Sequence, residues 1–379
     1  MNYSFSKYFL LIALFLIATI SKTFSQVRFA AIGDYGLAGA NELAVANLVK
    51  SWNPDFIITL GDNNYEVGSD STIDANIGQY YHQYIYPYHG SYGNGSINDR
   101  FFPALGNHDL ATQNGKPYFD YFELPGNERY YDFIQGNVRC FVINSDPSEI
   151  DGNNENSIQA NWLRNVLQNS SPNMWKIVYF HHPPYSSGPR GSNIYMQWPF
   201  KEWGAHIVLS GHEHNYERLF ADSVTYFVNG LGGKSIYDFL DPISESNFRY
   251  CDNYGAMLIE SFQTELICKF INVDGVLIDS VNISDKNLEP PITEYLLQQN
   301  FPNPFNTSTT IKYQVPLQAN VSLKLYDILG REVATLVNEQ KPAGKYEVDF
   351  TESNLSSGVY FYTLRTDNYF QTNKMTLLK

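Results

Sequence analysis

The sequence predicts an α/β fold, a four-layer α-β-β-α sandwich, followed by a small all-β sandwich. Three observations predict it. Apolar, strand-like runs alternate with helix-spaced segments and short glycine-containing links up to Gly211, the pattern of βαβ units with loops at the strand C-terminal ends. Beyond Gly211 the texture changes to short alternating strands, which would finish the sheets as antiparallel hairpins. After a polar, proline-containing stretch at 285–291, a second set of short strands begins.

The first residues read as an address. Lys7 precedes the apolar run 8–20, and small residues then lead to Ser25 and Gln26. Charge, apolar core and cleavage site in that order predict a secretory signal peptide over residues 1–25. The apolar run is short for a membrane span and no later one is long enough, so no transmembrane segment is expected in the mature chain.

In the expected catalytic domain, residues 26–285, Val27–Ile32 reads as a buried strand and Gly33-Asp34-Tyr35-Gly36 as its turn. Residues 41–52 carry helical spacing through Leu43, Ala46 and Val49, with Ala44 and Leu48 adjoining, and 56–60 is a second apolar strand. A second helix is expected over 156–168 through Ile158, Trp162, Val166 and Leu167, then strands at 176–180 and 206–210. Short strands follow at 225–228, 256–262, 266–273 and 276–283, the last two joined by the turn signal Asp274-Gly275.

Composition narrows the class. With 379 residues the chain is long enough for two domains, and 16% aromatic against 17% charged residues describes a packed globule rather than a disordered chain. The net charge is −14, and residues 290–379 carry eight charges of each sign, so the acidic excess lies in the first 289. That argues against a nucleic-acid partner, whose phosphates demand a basic footprint. Three cysteines do not make a disulfide framework. Cys140 lies in the strand-like run 138–143 and reads as a buried free thiol, whereas Cys251 and Cys268 have the option of pairing.

Residues 286–297 read as a linker and 298–379 as the small β-sandwich, with strands expected at 311–315, 322–326, 346–350 and 359–365. The segments QNFPNPFN (299–306), YDILGREV (326–333), NLSSGVYFY (354–362) and KMTLLK (374–379) closely resemble the C-terminal sorting domain of type IX secretion substrates. The resemblance implies export by that machinery from a Bacteroidetes-like bacterium, with the protein secreted or attached at the outer cell surface.

Five strand-end loops gather the reactive side chains: GDYG (33–36), GDNNY (61–65), GNHD (106–109), VYFHHPPY (178–185) and GHEHNYER (211–218). Five of the eight histidines fall in the last three, so the loops are read together rather than as separate turn formers. Carboxylate, amide oxygen and imidazole donors suit hard to borderline cations, and two such ions side by side hold a phosphoryl group and an activated hydroxide.

The five loops resemble the metallophosphoesterase family over roughly residues 27–285. The resemblance implies that Asp62 bridges two metals, that Asp34, Tyr65 and His214 complete the first site, and that Asn107, His181 and His212 complete the second. It makes His108 the group that contacts substrate and protonates the leaving group, with Asp109 as the partner orienting its ring. The GDxxY spacing is similar to that of purple acid phosphatases, in which a tyrosine phenolate binds ferric iron. That implies Fe(III) at the Asp34, Asp62, Tyr65, His214 site and Fe(II), Zn or Mn at the other, since only a strongly Lewis-acidic ion ionises a phenol.

The expected activity is hydrolysis of small-molecule phosphate monoesters. A phosphodiesterase or nucleotide hydrolase on the same loops, decided by the pocket walls 70–100 and 188–195, is the alternative, and a surface-displayed binding protein on an inactive scaffold is the non-enzyme one. His182 is a further substrate-facing or catalytic candidate, with a core role equally open. Arg190 departs from the histidine often found there and is read either as a phosphate clamp or as a solvated side chain. Arg218 reads as a structural salt-bridge residue, and His82, His89 and His206 as non-catalytic.

Overall fold

The computed structural model describes residues 27–285, 294–351 and 355–379. The expected signal peptide, and residues 286–293 of the expected linker, lie outside them. Two compact units divide between residues 288 and 289.

The first unit holds two mixed sheets. The six-stranded sheet runs β13-β12-β11-β1-β2-β3, with β1 Val27–Ile32, β2 Phe56–Thr59, β3 Phe101–Pro103, β11 Gly255–Ser261, β12 Glu265–Asn272 and β13 Leu277–Ser284. The seven-stranded sheet runs β10-β8-β9-β7-β6-β5-β4, with β4 Tyr131–Gln135, β5 Val138–Val142, β6 Trp175–Tyr179, β7 Ile207–Ser210, β8 Tyr216–Ala221, β9 Val224–Asn229 and β10 Ser246–Tyr250. β1, β2 and β3 are parallel, as are β5, β6, β7 and β9, and the outer strands pair antiparallel.

Side-chain alternation sorts the strands into layers. Phe29 and Ala31 of β1 join a core between the sheets with Phe56, Ile58, Ile177, Leu209 and Met257. Ala30 and Ile32 face the other way, onto Val45, Ala46 and Val49 of the helix Ala40–Ser51 and onto Tyr80 and Tyr81. On the far side, Phe141, Val178 and Val208 meet Ala160, Leu163 and Leu167 of the helix Ile158–Gln168. The order helix, sheet, sheet, helix is the expected sandwich.

Both helices are rotated from the face their apolar residues suggest. Leu43 and Ile158 are exposed, while Glu42 and Gln159 are buried. Strands β3, β4, β8 and β10 were not expected, and β8 takes in the last three residues of the loop read over 211–218. β10 alternates half-buried and exposed residues at a sheet edge, so it has no apolar run to read. All three cysteines are free, Cys140 and Cys268 buried, so the option of a Cys251–Cys268 bridge is not taken.

The second unit packs a three-stranded sheet, β14-β15-β18, on a four-stranded one, β17-β16-β19-β20. The strands are β14 Leu296–Leu297, β15 Ser308–Val315, β16 Ala319–Tyr326, β17 Glu332–Lys341, β18 Gly344–Thr351, β19 Gly358–Arg365 and β20 Phe370–Leu377. Ile311, Val321, Leu323, Tyr362 and Leu377 share its core. β14 pairs with β15, so sheet structure reaches into the stretch read as linker. Among the described residues, no helix is long and apolar enough to cross a membrane.

Candidate metal centre

The five loops follow the C-terminal ends of β1, β2, β3, β6 and β7, parallel strands drawn from both sheets. Asp34, Asp62 and His212 each take a left-handed backbone, with φ of 54°, 55° and 70°. Non-glycine residues rarely adopt it, and it clusters where a site dictates side-chain direction. Gly61 has φ 88°, and a Cβ there would lie 2.6 Å from His181 Nδ1, so this turn admits only glycine.

Around Tyr65 four donors converge. Its hydroxyl lies 3.0 Å from Asp34 Oδ1, 2.8 Å from Asp62 Oδ2 and 3.2 Å from His214 Nε2. His214 Nε2 is 3.2 Å from Asp34 Oδ1. Around His181 a second set converges: its Nε2 lies 3.4 Å from Asp62 Oδ2, 3.2 Å from Asn107 Oδ1 and 3.1 Å from His212 Nδ1. Asp62 Oδ2 belongs to both sets.

These donor sets fit metal ions. Ligands at about 2.1 Å from one cation stand roughly 3 Å apart at neighbouring positions, which is the spacing here. One phenol proton faces two carboxylate oxygens, so a cation satisfies the cluster better than hydrogen bonds do. The ring orientations agree. His181 Nδ1 lies 2.8 Å from the Leu60 carbonyl, to which it must donate, so Nε2 is the nitrogen left to ligate a cation, which would replace its proton. His214 Nδ1 is 2.6 Å from Ser235 Oγ. The His212 backbone N–H donates to Asp34 Oδ2 at 2.8 Å and ties the two loops together.

Burial shapes the charges. It pushes the Tyr65 phenol well above its ordinary value, and Asp34 and Asp62 push it further. Burial alone would raise Asp62, but the His181 imidazole outweighs it and holds the carboxyl below the usual range. His181 is raised to about 9: Asp62 beside it overcomes the burial that would lower it. His212 and His182 go down, through burial first and the charge of His181 second, His182 to about 3.

The remaining candidates divide. His108 Nδ1 lies 2.5 Å from the Glu66 carbonyl, and its Nε2 stands 3.9 Å from Asp62 Oδ2, facing the site. Asp109 is not its partner, contrary to expectation. That carboxylate accepts from Asn63 N–H at 2.9 Å, Asn63 Nδ2 at 2.8 Å and Gly106 N–H at 2.8 Å. It therefore knits GDNNY to GNHD from below, and burial with the nearby Asp62 raises it to about 7. His182 is buried, with its ring centroid 4.4 Å from that of His212.

Arg190 is held at the rim: its guanidinium donates to the His212 carbonyl at 2.6 Å and to the Tyr237 hydroxyl at 3.2 Å. Arg218 pairs with Asp279 at 2.7 Å, the structural bridge expected of it. His82 and His206 bond to the Gly78 carbonyl and to Asp285, away from these clusters.

Some contributors escaped the sequence reading. Lys234 caps the Tyr65 ring at 4.8 Å and pairs with Glu66, and Tyr237 stacks on His214 at 4.1 Å. Lys234 and Ser235 end the glycine-rich GLGGKS after β9, and Ser145 follows β5 in INSD. Both segments are strand-end loops, and that was the available signal.

Residues 27–216 match the family model described as calcineurin-like phosphoesterase, and residues 299–378 match that of the secretion system C-terminal sorting domain. Purple acid phosphatase 17 of Arabidopsis thaliana is 25% identical over 293 residues, covering 68% of this chain and 84% of the relative. Two solved structures share the fold. The purple acid phosphatase from yellow lupin (Lupinus luteus) seeds has a TM-score of 0.56 at 18% identity, covering 68% of this chain and 53% of that one. GAP50, the anchor in the inner membrane complex of Plasmodium, has 0.53 at 17%, covering 69% and 90%.

Proposed function

The chain belongs to the calcineurin-like phosphoesterase family, and on that premise we propose a phosphomonoesterase of purple acid phosphatase type with two metal ions. It is a metal-dependent hydrolase of phosphoric esters. The observation that carries the finer reading is Asp62 Oδ2, shared between the Tyr65 cluster and the His181 cluster. One oxygen within 3.4 Å of both donor sets supports a bridged pair of cations.

Asp34, Asp62, Tyr65 and His214 would hold Fe(III), and Asp62, Asn107, His181 and His212 would hold Fe(II), Zn or Mn. Two ions held there would supply an activated water and neutralise charge developing on the phosphoryl oxygens. The protein's own part is placement. His108, whose Nδ1–H donates to the Glu66 carbonyl, turns Nε2 toward the site; as an imidazolium it gives the Nε2 proton to the leaving-group oxygen and is left neutral with Nδ1–H still on that carbonyl. Asn107 Oδ1, 3.2 Å from His181 Nε2, and the Leu60 carbonyl behind that ring keep the second donor set in register. The match to the sorting domain supports export, and the site would act on small phosphate esters outside the cell.

Metal analysis of the purified protein, run beside a panel of phosphate mono- and diesters, tests the reading. Two ions per chain with iron among them, and monoesters preferred, are expected. Diesters or nucleotides preferred over every monoester would overturn the substrate class.

A further inference from the structure

Ser145 is fully buried after β5, and its hydroxyl meets His182 twice. The His182 backbone N–H donates to Ser145 Oγ at 2.9 Å, and that oxygen lies 2.9 Å from His182 Nδ1. A serine hydroxyl has one proton to give. Oγ has a second lone pair and could also accept from Nδ1, but its own proton would then meet no acceptor among the described residues, so the arrangement that pairs every proton has Oγ–H donating to Nδ1. Nδ1 then carries the lone pair, and the ring proton of neutral His182 sits on Nε2.

The loop that carries the serine is pinned. Gln159, fully buried, accepts from the Asn144 N–H at 2.6 Å and donates to the Asn144 carbonyl at 2.9 Å and the Gly152 carbonyl at 3.0 Å. The Tyr195 hydroxyl donates to the Ser145 carbonyl at 3.3 Å. Ser145 is therefore held from both sides before it acts on the histidine.

Two roles compete for that ring. His181, His182 and His212 offer nitrogens within 4.8 Å of one another, a spacing that also suits a third nitrogen ligand. A protonated nitrogen has no lone pair for a cation. We propose that Ser145 is a positioning residue that locks His182 as an Nε2–H donor. The lock excludes the ring from the metal ligands and presents it to a phosphoryl oxygen of the substrate. The donor role rests on the phosphatase reading above; the lock does not.

Nitrogen-detected NMR of the histidines in metal-free wild type tests the lock directly, with the Nε2–H tautomer expected for His182. An Nδ1–H tautomer overturns the proposal. In the metal-loaded protein, Ser145→Ala and His182→Ala should keep the full metal content while kcat/KM and inorganic phosphate inhibition weaken about 10- to 100-fold. Ser145→Thr, which keeps the hydroxyl, should recover most of the loss. The double variant should be no worse than His182→Ala, because Ser145 acts through that ring. Loss of one ion in His182→Ala, or additive losses in the double variant, overturns the proposal. A wild type with the Nε2–H tautomer but no turnover of any phosphate ester would overturn the donor role and the phosphatase reading, while the lock stands.

Discussion

The phenol oxygen of Tyr65 stands 2.8 Å from Oδ2 of Asp62, the oxygen shared by both donor clusters. Burial and the two carboxylates hold the phenol neutral in the absence of a cation. A phenolate at this position therefore needs a strongly Lewis-acidic ion. Purified protein should show a visible charge-transfer band, and Tyr65→Phe should abolish it. A colourless, zinc-only protein with full activity would sink the ferric assignment.

Asn107 and His212 touch His181 from two sides. Replacing either with alanine should lower hydrolysis of a generic aryl phosphate about a hundredfold or more, with less metal bound. Thermal unfolding of each variant, measured without added metal, should stay within a few degrees of wild type. Unchanged turnover in both variants would remove these residues from the second site.

His108 should matter in proportion to the leaving group. With a poor alkoxide leaving group, His108→Ala should fall about 10²- to 10⁴-fold, and with an activated aryl phosphate far less. Equal losses on both substrates would contradict the acid role and leave His108 as a binding residue.

Arg218 donates to Asp279 through Nε at 2.7 Å and a terminal nitrogen at 3.1 Å, and the Tyr216 hydroxyl donates to the same carboxylate at 3.0 Å. Arg218→Ala leaves that mostly buried carboxylate short of a partner, at a cost of about 2–3 kcal/mol. Tm should drop by roughly 5–10 °C, with kcat at low temperature near wild type. A variant that melts like wild type but turns over slowly would place Arg218 in the catalytic machinery instead.

Asp99 carries the clearest pH signature away from the metal clusters. Burial raises it to about 7, against the backbone N–H groups of Phe101, Arg100 and Tyr86. A carboxyl raised on folding adds stability below its unfolded value of about 4 and loses it as pH rises to about 7. Asp99→Asn removes that slope. Wild type should therefore lose several degrees of Tm relative to the variant between pH 4 and pH 7. Parallel curves would show that Asp99 titrates alike folded and unfolded.

The strands and their loops were legible because each couples an apolar run to a polar tetrad. Asp62 ends one such run and His181 another, and burial of the run forces the tetrad to the sheet end. Helix faces were less legible. Glu42 and Gln159 are buried where Leu43 and Ile158 were the apolar choice, because the side chains packed opposite decide which face turns inward.

Asp109 shows where sequence adjacency misleads. It follows His108 directly, yet on the short helix Asn107–Leu110 neighbouring side chains diverge, and its carboxylate turns down to Asn63 and Gly106. The orienting contact of His108 is a main-chain carbonyl, Glu66, which no residue type announces.

By itself the sequence determined the strand-end loops, their donor types and the sorting-domain segments, since these depend on local runs and residue chemistry. Only the tertiary structure decided that one oxygen of Asp62 serves both clusters, that Asp109 is structural and that Ser145 meets His182. Contacts within the site join residues as far as 178 positions apart, as between the His212 backbone and Asp34. They exist because two sheets pack face to face and bring the ends of separate strands to one place.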